Sequence, residues 1–166
     1  PKYYSIFLPM LYSVIINTTQ KLMKHEYTDE LRLFRMRSRP KILLASTFEE
    51  ATELYRLYKN NLLAVISDVR YPRHGVLDPK AGAKFIKIVQ KKNTSMPIIM
   101  QSMEGSNEKT AKELGAYFIA KYSPQLIKSL QDFVIKHCGF GDLVFSTREG
   151  KTITKIRHLN ALNAAL

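Results

Sequence analysis

Three polar residues, Asp68, Ser102 and Lys121, each stand at the end of a short apolar run. Asp68 offers a carboxylate nucleophile of the kind that accepts phosphoryl groups. Lys121 can pair with that carboxylate or with phosphate oxygens, and Ser102 can hydrogen-bond the same group. Each residue taken alone has an ordinary structural explanation. Asp68 could begin a turn, Lys121 could be a solvated loop residue, and Ser102 could be a hydrogen-bonded strand end. Their occurrence on successive runs favours an anion-handling site.

The apolar runs themselves predict buried strands. Residues 62–67 are apolar on both faces, which is typical of a parallel sheet covered by helices. Helical segments alternate with the runs, so the sequence predicts an α/β fold with right-handed crossovers. In such sheets, ligand-binding and reactive residues lie beyond the carboxyl ends of the strands. We therefore expect Asp68, Ser102 and Lys121 to meet at one edge.

Periodicity and capping residues place the remaining elements. Pro9 is expected to kink the first helix or mark its first turn. Ser46 or Thr47 is expected to cap a helix, and Gly115 to end another. Strands are predicted over 41–45, 62–68, 97–102 and 116–120. Helices are predicted over 3–25, 28–37, about 47–59, the region of 85–89, 107–114 and 123–139. A β-hairpin is predicted over 140–156, and a further helix is predicted to begin at 158.

Length and composition bound the protein class. The 166 residues, 45% of them hydrophobic, suit one domain over 1–138 followed by a short region over 139–166. No apolar stretch is long enough to span a bilayer, and no signal peptide is evident. The single Cys138 allows no internal disulfide and suits the cytoplasm. Cys138 is predicted to be a packed small residue and not a nucleophile.

A net charge of +12 is compatible with binding to nucleic acid. The densest basic cluster lies between Arg32 and Lys41, and the other lysines are scattered through helical segments as solvated faces. The sequence favours a solvated helix end or a partner contact for this cluster over nucleic-acid binding.

Residues 41–137 resemble the receiver domain of two-component response regulators. The matching stretches are ISDVRYP around Asp68, PIIMQSM around Ser102 and ELGAYFIAKYSP around Lys121. The resemblance implies a doubly wound, flavodoxin-like parallel sheet of order 2-1-3-4-5. It also implies that Asp68 is the phospho-acceptor, Ser102 the switch hydroxyl and Lys121 the phosphate-pairing lysine.

The same resemblance assigns two further positions. Phe118, three residues before Lys121, falls at the aromatic switch position. Arg70, two residues after Asp68, falls where the family offers a backbone carbonyl to Mg²⁺, with Asp68 and an upstream acidic pair completing the metal site.

The whole chain resembles, more narrowly, the receiver-like segment that opens bacterial proteins with a pyruvate phosphate dikinase or phosphoenolpyruvate-synthase-type domain. RLFRMRSRPKILLA and GFGDLVFSTREG carry this likeness. It implies a sensor histidine kinase as phosphate donor and an attached output domain, such as a dikinase-like domain. The chain itself is not expected to be an enzyme.

Three features depart from the receiver pattern. The first strand, with its acidic pair, is missing; we expect it upstream of Pro1, or its place taken by the C-terminal hairpin. Glu49 and Glu50 cannot replace the pair, because they follow an outer strand. The loop over 73–80 is long and is expected to contact a partner or cover the site, its His74 and Asp78 being weak metal candidates. The region 18–39 adds a helical element suited to a dimer or interdomain surface.

The sequence leaves three functions open. The first is a receiver phosphorylated on Asp68. The second is a pseudo-receiver that only docks or dimerises. The third, supported by charge alone, is a nucleic-acid-binding protein.

Overall fold

The computed structural model describes residues 2–23, 40–138, 143–147 and 151–156. The chain divides into a central unit, residues 41–126, and an outer unit, residues 1–40 with 127–166. The predicted helices over 28–37 and from 158 lie outside the described residues, and the predicted division at 138 stays a prediction. In chain order the elements are α1 (Lys2–Met23), α2 (Phe48–Tyr58), β1 (Val65–Asp68), β2 (Tyr71–Arg73), β3 (Val76–Asp78), α3 (Ala81–Lys92), β4 (Ile98–Ser102), α4 (Asn107–Glu113), β5 (Tyr117–Ala120), α5 (Leu126–His137), β6 (Leu143–Ser146) and β7 (Thr152–Ile156).

A three-stranded parallel sheet of order β1-β4-β5 forms the middle of the central unit. Asp68 of β1 aligns with Gln101 of β4, and Ser102 of β4 aligns with Ala120 of β5. All five residues of β4 are buried, because that strand has a neighbour on each side. The predicted mixed α/β fold with a parallel sheet is therefore confirmed.

Helices connect the parallel strands as predicted, with α3 leading from β1 to β4 and α4 from β4 to β5. Helix α2 begins with a capping box, in which the Thr47 hydroxyl accepts from the Glu50 N–H and the Glu50 carboxylate accepts from the Thr47 N–H. Gly115 follows α4 with a φ of +60°, the left-handed conformation expected at a helix C-terminus.

The core of the central unit lies between one face of the sheet and helices α2, α3 and α4. Ile86 and Val89 of α3 are fully enclosed there, and Met100 of β4 meets them from the sheet. The Tyr55 hydroxyl donates to the Val89 carbonyl at 3.2 Å, which ties α2 to α3. The cluster comprises Tyr55, Val65, Phe85, Ile86, Val89, Met96, Ile98, Met100, Ala111 and Ala116.

The segment after Asp68 is more ordered than the predicted loop. Strands β2 and β3 pair as an antiparallel hairpin, with Tyr71 opposite Asp78. His74 and Gly75 both have positive φ angles, of 52° and 78°, as the two central residues of a type I′ hairpin turn do. The Glu49 carboxylate of α2 accepts a hydrogen bond from the His74 N–H at 3.1 Å and holds the turn in place.

The predicted strand over Lys41–Ala45 is wrong. Residues 40–45 have no strand pairing, and the side chains of Leu43 and Leu44 are 43% and 60% exposed. An extended segment becomes a strand only when a neighbour takes up its backbone hydrogen bonds. Within the described residues β1 pairs with β4 alone, and nothing pairs with residues 41–45.

The outer unit contains α1, nearly all of α5 and an antiparallel hairpin of β6 and β7. Helix α1 continues through Pro9 and buries Phe7, Leu11 and Val14, whereas Ile6 is exposed. The predicted C-terminal hairpin is confirmed. None of the described helices combines the length and apolar character needed to cross a membrane.

Core packing predicts the effect of truncating Ile86, which is completely buried. We expect Ile86→Ala to lower the free energy of unfolding by roughly 2–5 kcal/mol, because the lost methyl groups leave a cavity. Urea denaturation of the two proteins measures the difference. Leu77→Ala is the matched control: Leu77 is 62% exposed, and its change should stay within about 0.5 kcal/mol. Equal losses would contradict this core assignment.

Candidate functional site

An ion pair joins the ends of two strands that are not neighbours in the sheet. The Lys121 ammonium, directly after β5, donates to Asp68 Oδ2 at the end of β1. Strand β4 lies between them, and Lys121 is held there because its N–H donates to the Ser102 carbonyl at 2.8 Å. The structure thus brings the predicted carboxylate and ammonium into direct contact.

Asp68 is partly buried and well oriented. Its side chain is 22% exposed and that of Lys121 is 10% exposed, so the pair is reachable from solvent yet largely shielded. The other carboxylate oxygen, Oδ1, accepts from the Val69 N–H at 2.8 Å, and the Ser67 hydroxyl donates to the Asp68 carbonyl at 2.9 Å. The Val69 N–H and the Lys121 ammonium thus orient the carboxylate at the sheet edge, while the Ser67 hydroxyl binds the Asp68 backbone.

Ser102 lies on the strand between the two charges, with its hydroxyl engaged elsewhere. Its Oγ accepts from the Glu104 N–H at 3.0 Å and from Asn107 Nδ2 at 2.9 Å. The hydroxyl therefore ties the end of β4 to the start of α4. A hydroxyl that accepts two hydrogen bonds still carries one proton that it can donate.

Phe118 and Arg70 occupy different surroundings from Asp68. Phe118 aligns with Met100 and packs, half-buried, against the core of the central unit. The Arg70 guanidinium forms an exposed ion pair with Glu104 at 3.1 Å, which links the loops after β1 and β4. The roles predicted for Phe118 and for the Arg70 carbonyl stay predictions.

Gly82 is tightly packed against the site. It lies in the first turn of α3, and its N–H donates to the Val69 carbonyl at 3.0 Å. A Cβ added there would stand 2.1 Å from the Asp68 carbonyl oxygen and 3.0 Å from the Val69 Cα. Only glycine lets α3 approach the end of β1 so closely.

Two buried polar groups surround Asp68, and sequence reasoning missed both. Gln101, its partner in register, is 1% exposed, and its Nε2 has no hydrogen-bond partner among the described residues. A glutamine inside the apolar run PIIMQS was the available signal. The Tyr71 hydroxyl is also buried: desolvation raises its pKa, and the carboxylates of Asp68 and Asp78 raise it further.

Among the described residues, no three side chains from His, Cys, Asp and Glu come close enough to share an ion. The Asp68 carboxylate is bound by Lys121 and the Val69 N–H, and Asp78 contacts Lys84. Of the Mg²⁺ ligands that the resemblance implies, the described residues include Asp68 and the Arg70 carbonyl but not the acidic pair.

Cys138 is unsuited to nucleophilic chemistry. Burial raises the pKa of its thiol to about 11, so little of the reactive thiolate exists near neutrality. This supports its prediction as a packed residue.

Comparisons with known proteins give no identification: no protein-family model, no curated protein and no solved structure matches this chain. The function has to be inferred from the chemistry of the residues themselves.

The Asp68–Lys121 contact can be measured as a coupling energy. We expect a double-mutant cycle of Asp68→Asn and Lys121→Met to give about 1–2 kcal/mol, because both partners are partly buried and in direct contact. Urea denaturation of the wild type, both single variants and the double variant supplies the four free energies.

The exposed pair Arg56–Glu53 on α2 is the matched control for that cycle. Its side chains are 67% and 55% exposed, and solvent-exposed pairs on one helix couple by only about 0.3–0.5 kcal/mol. A coupling for Asp68 and Lys121 no larger than this control would contradict a shielded ion pair.

Gly82→Ala tests the close approach of α3 to Asp68. Helix propensity alone would make alanine about 1 kcal/mol more stable than glycine. The collision with the Asp68 carbonyl should reverse the sign, with a loss of roughly 1–3 kcal/mol and a shifted amide resonance at Val69. Gly105→Ala is the control, since a Cβ there meets nothing within 4 Å; a stabilised Gly82→Ala protein would rule the contact out.

Proposed function

We propose that this chain is a receiver module that accepts a phosphoryl group on Asp68. The observation that carries the proposal is the contact between Asp68 at the end of β1 and Lys121 after β5, with Ser102 on the strand between them. A carboxylate, an ammonium and a hydroxyl at one sheet edge are suited to taking up and holding a phosphoryl group.

In the transfer itself, the Asp68 carboxylate is the nucleophile. One carboxylate oxygen attacks the phosphorus of a phosphodonor, and the bond from phosphorus to the donor breaks. The donor leaves with that electron pair; acetyl phosphate, for example, releases acetate. Lys121, which already neutralises Asp68, then pairs with a phosphoryl oxygen and compensates the added negative charge.

Ser102 provides the route by which phosphorylation changes the surface. Its hydroxyl now accepts from the Glu104 N–H and from Asn107. If the Ser102 side chain rotates about its Cα–Cβ bond to donate to a phosphoryl oxygen, its oxygen leaves the Glu104 N–H and Asn107, and these two bonds at the start of α4 are lost. The segment 103–107 is thus a two-state element that phosphorylation of Asp68 would bias.

The finer fold assignment belongs to the same proposal. The order β1-β4-β5 corresponds to the last three strands of a flavodoxin-like sheet of order 2-1-3-4-5. Two further strands beyond β1 would complete the sheet, and the one next to β1 would carry the acidic pair for Mg²⁺. A sensor histidine kinase would donate the phosphoryl group, and an attached output domain would respond.

Phosphorylation is tested by incubating the chain with acetyl phosphate, with and without MgCl₂, and measuring the mass of the intact protein by mass spectrometry. We expect a gain of one phosphoryl group in the wild type and none in Asp68→Asn. Lys121→Met should reduce the gain because the compensating charge is lost. Asp78→Asn, which alters a carboxylate in the adjacent hairpin, is the matched control and should still be modified.

A second function, docking without phosphorylation, is favoured by the β2–β3 hairpin. Its side chains Val76 and Leu77 are 71% and 62% exposed, as in a surface that meets a partner. A mass gain that survives Asp68→Asn, or no gain under either condition, would overturn the phosphorylation proposal and leave this docking role.

A further inference from the structure

Helix α3 carries a row of lysines that the sequence reading treated as scattered. Lys80 precedes the helix, and Lys84, Lys87, Lys91 and Lys92 lie within it. Every exposed side chain of α3 is a lysine, and Lys80 is exposed as well. No Asp or Glu occurs between 79 and 103.

The spacing puts four of these lysines on one line. Steps of four, three and four residues from Lys80 to Lys91 keep the side chains within about 60° of arc on a helix of 3.6 residues per turn. The row is about 16 Å long at 1.5 Å per residue. The opposite face of α3 packs into the core through Phe85, Ile86 and Val89. This packing holds the helix, and therefore the lysine row, in place.

Little negative charge compensates the row. Lys84 forms an ion pair with Asp78 at 2.7 Å. The ammonium groups of Lys80, Lys87 and Lys91 form no ion pair with an acidic side chain among the residues described, although the Lys80 backbone N–H donates to Asp78 Oδ1 at 2.8 Å. Surfaces shaped for solubility alone usually intersperse charges of both signs.

Helix stability accounts only for the C-terminal end of the row, where Lys91 and Lys92 stand in the last turn and are favoured by the helix dipole. The positive end of the helix dipole lies at the N-terminus, where acidic residues are favourable and lysines are not. Helix α2 follows this rule with Glu49 and Glu50 in its first turn, whereas α3 has no acidic residue there. Lys80 and Lys84 are thus placed against the dipole.

We propose that the α3 lysine row binds the phosphate backbone of duplex nucleic acid without reading its sequence. A duplex presents about nine phosphate charges over 16 Å of its axis, since one charge occurs per 1.7 Å. Lysines act as point charges on flexible stems and suit such a line of anions.

The composition of the row also separates nucleic acid from a protein partner. Protein interfaces are centred on buried apolar or aromatic anchors, and no apolar side chain of α3 is exposed. Base readout needs Arg, Asn or Gln reaching into a groove. The one such residue of α3, Gln90, donates to the Leu114 carbonyl. The contact is therefore confined to phosphates.

The test is the salt dependence of binding to a fluorescent 20-base-pair duplex, measured by anisotropy with the 166-residue chain. The variant Lys80→Gln/Lys87→Gln/Lys91→Gln leaves the Lys84–Asp78 pair intact. We expect its affinity at low salt to fall by about tenfold or more, and the slope of log K against log salt to become shallower by about 2–3. A duplex of different sequence should bind equally well.

The matched control, Lys109→Gln/Lys112→Gln/Lys128→Gln, removes the same charge from exposed lysines on α4 and α5 and should keep the wild-type slope. Thermal unfolding monitored by circular dichroism verifies that both variants are folded. Equal losses in the two variants would assign binding to net charge and overturn the proposal. So would absence of duplex binding at low salt, or displacement of the duplex by polyglutamate at equal charge concentration.

Discussion

The contact between Asp68 and Lys121 sets the geometry of the central unit. Each charge is partly shielded from water, and each would be costly to leave unpaired. Because the partners follow β1 and β5, the contact requires β4 to lie between those strands in the observed register. One ion pair thus depends on three strands, and the same register places Ser102 at the end of the strand between its partners.

Two residues near Asp68 lower the stability of the fold, and one of them lets α3 approach the end of β1. Gly82 stands in a helix, where alanine would normally be preferred, and it is needed only because α3 reaches the end of β1. Gln101 buries an amide donor without a partner among the described residues, which costs about 1–3 kcal/mol. Natural proteins break such local rules mainly at functional sites, so both costs favour a site at Asp68 over an ordinary turn.

Much of this arrangement could be predicted from the sequence, because it depends on local patterns. Thr47 and Glu50 form a capping box whose residues are three apart, and the run ending at Asp68 is apolar on both faces. Parallel strands joined by helices place their carboxyl ends at one edge, which is why the pairing of Asp68 with Lys121 followed. The orientation of the Ser102 hydroxyl could not be predicted, since it depends on Glu104 and Asn107 folding back.

The errors arise where structure depends on a partner distant in sequence. Residues 41–45 have strand-like composition, yet a strand exists only when another segment accepts its hydrogen bonds, and composition does not reveal that segment. The lysines of α3 are the reverse case. Their alignment is local and readable from spacing, but its meaning depends on which charges surround the row, and that requires the folded surface. Charge counts therefore pointed to Arg32–Lys41, whereas burial of Phe85, Ile86 and Val89 identifies the face that α3 presents to solvent.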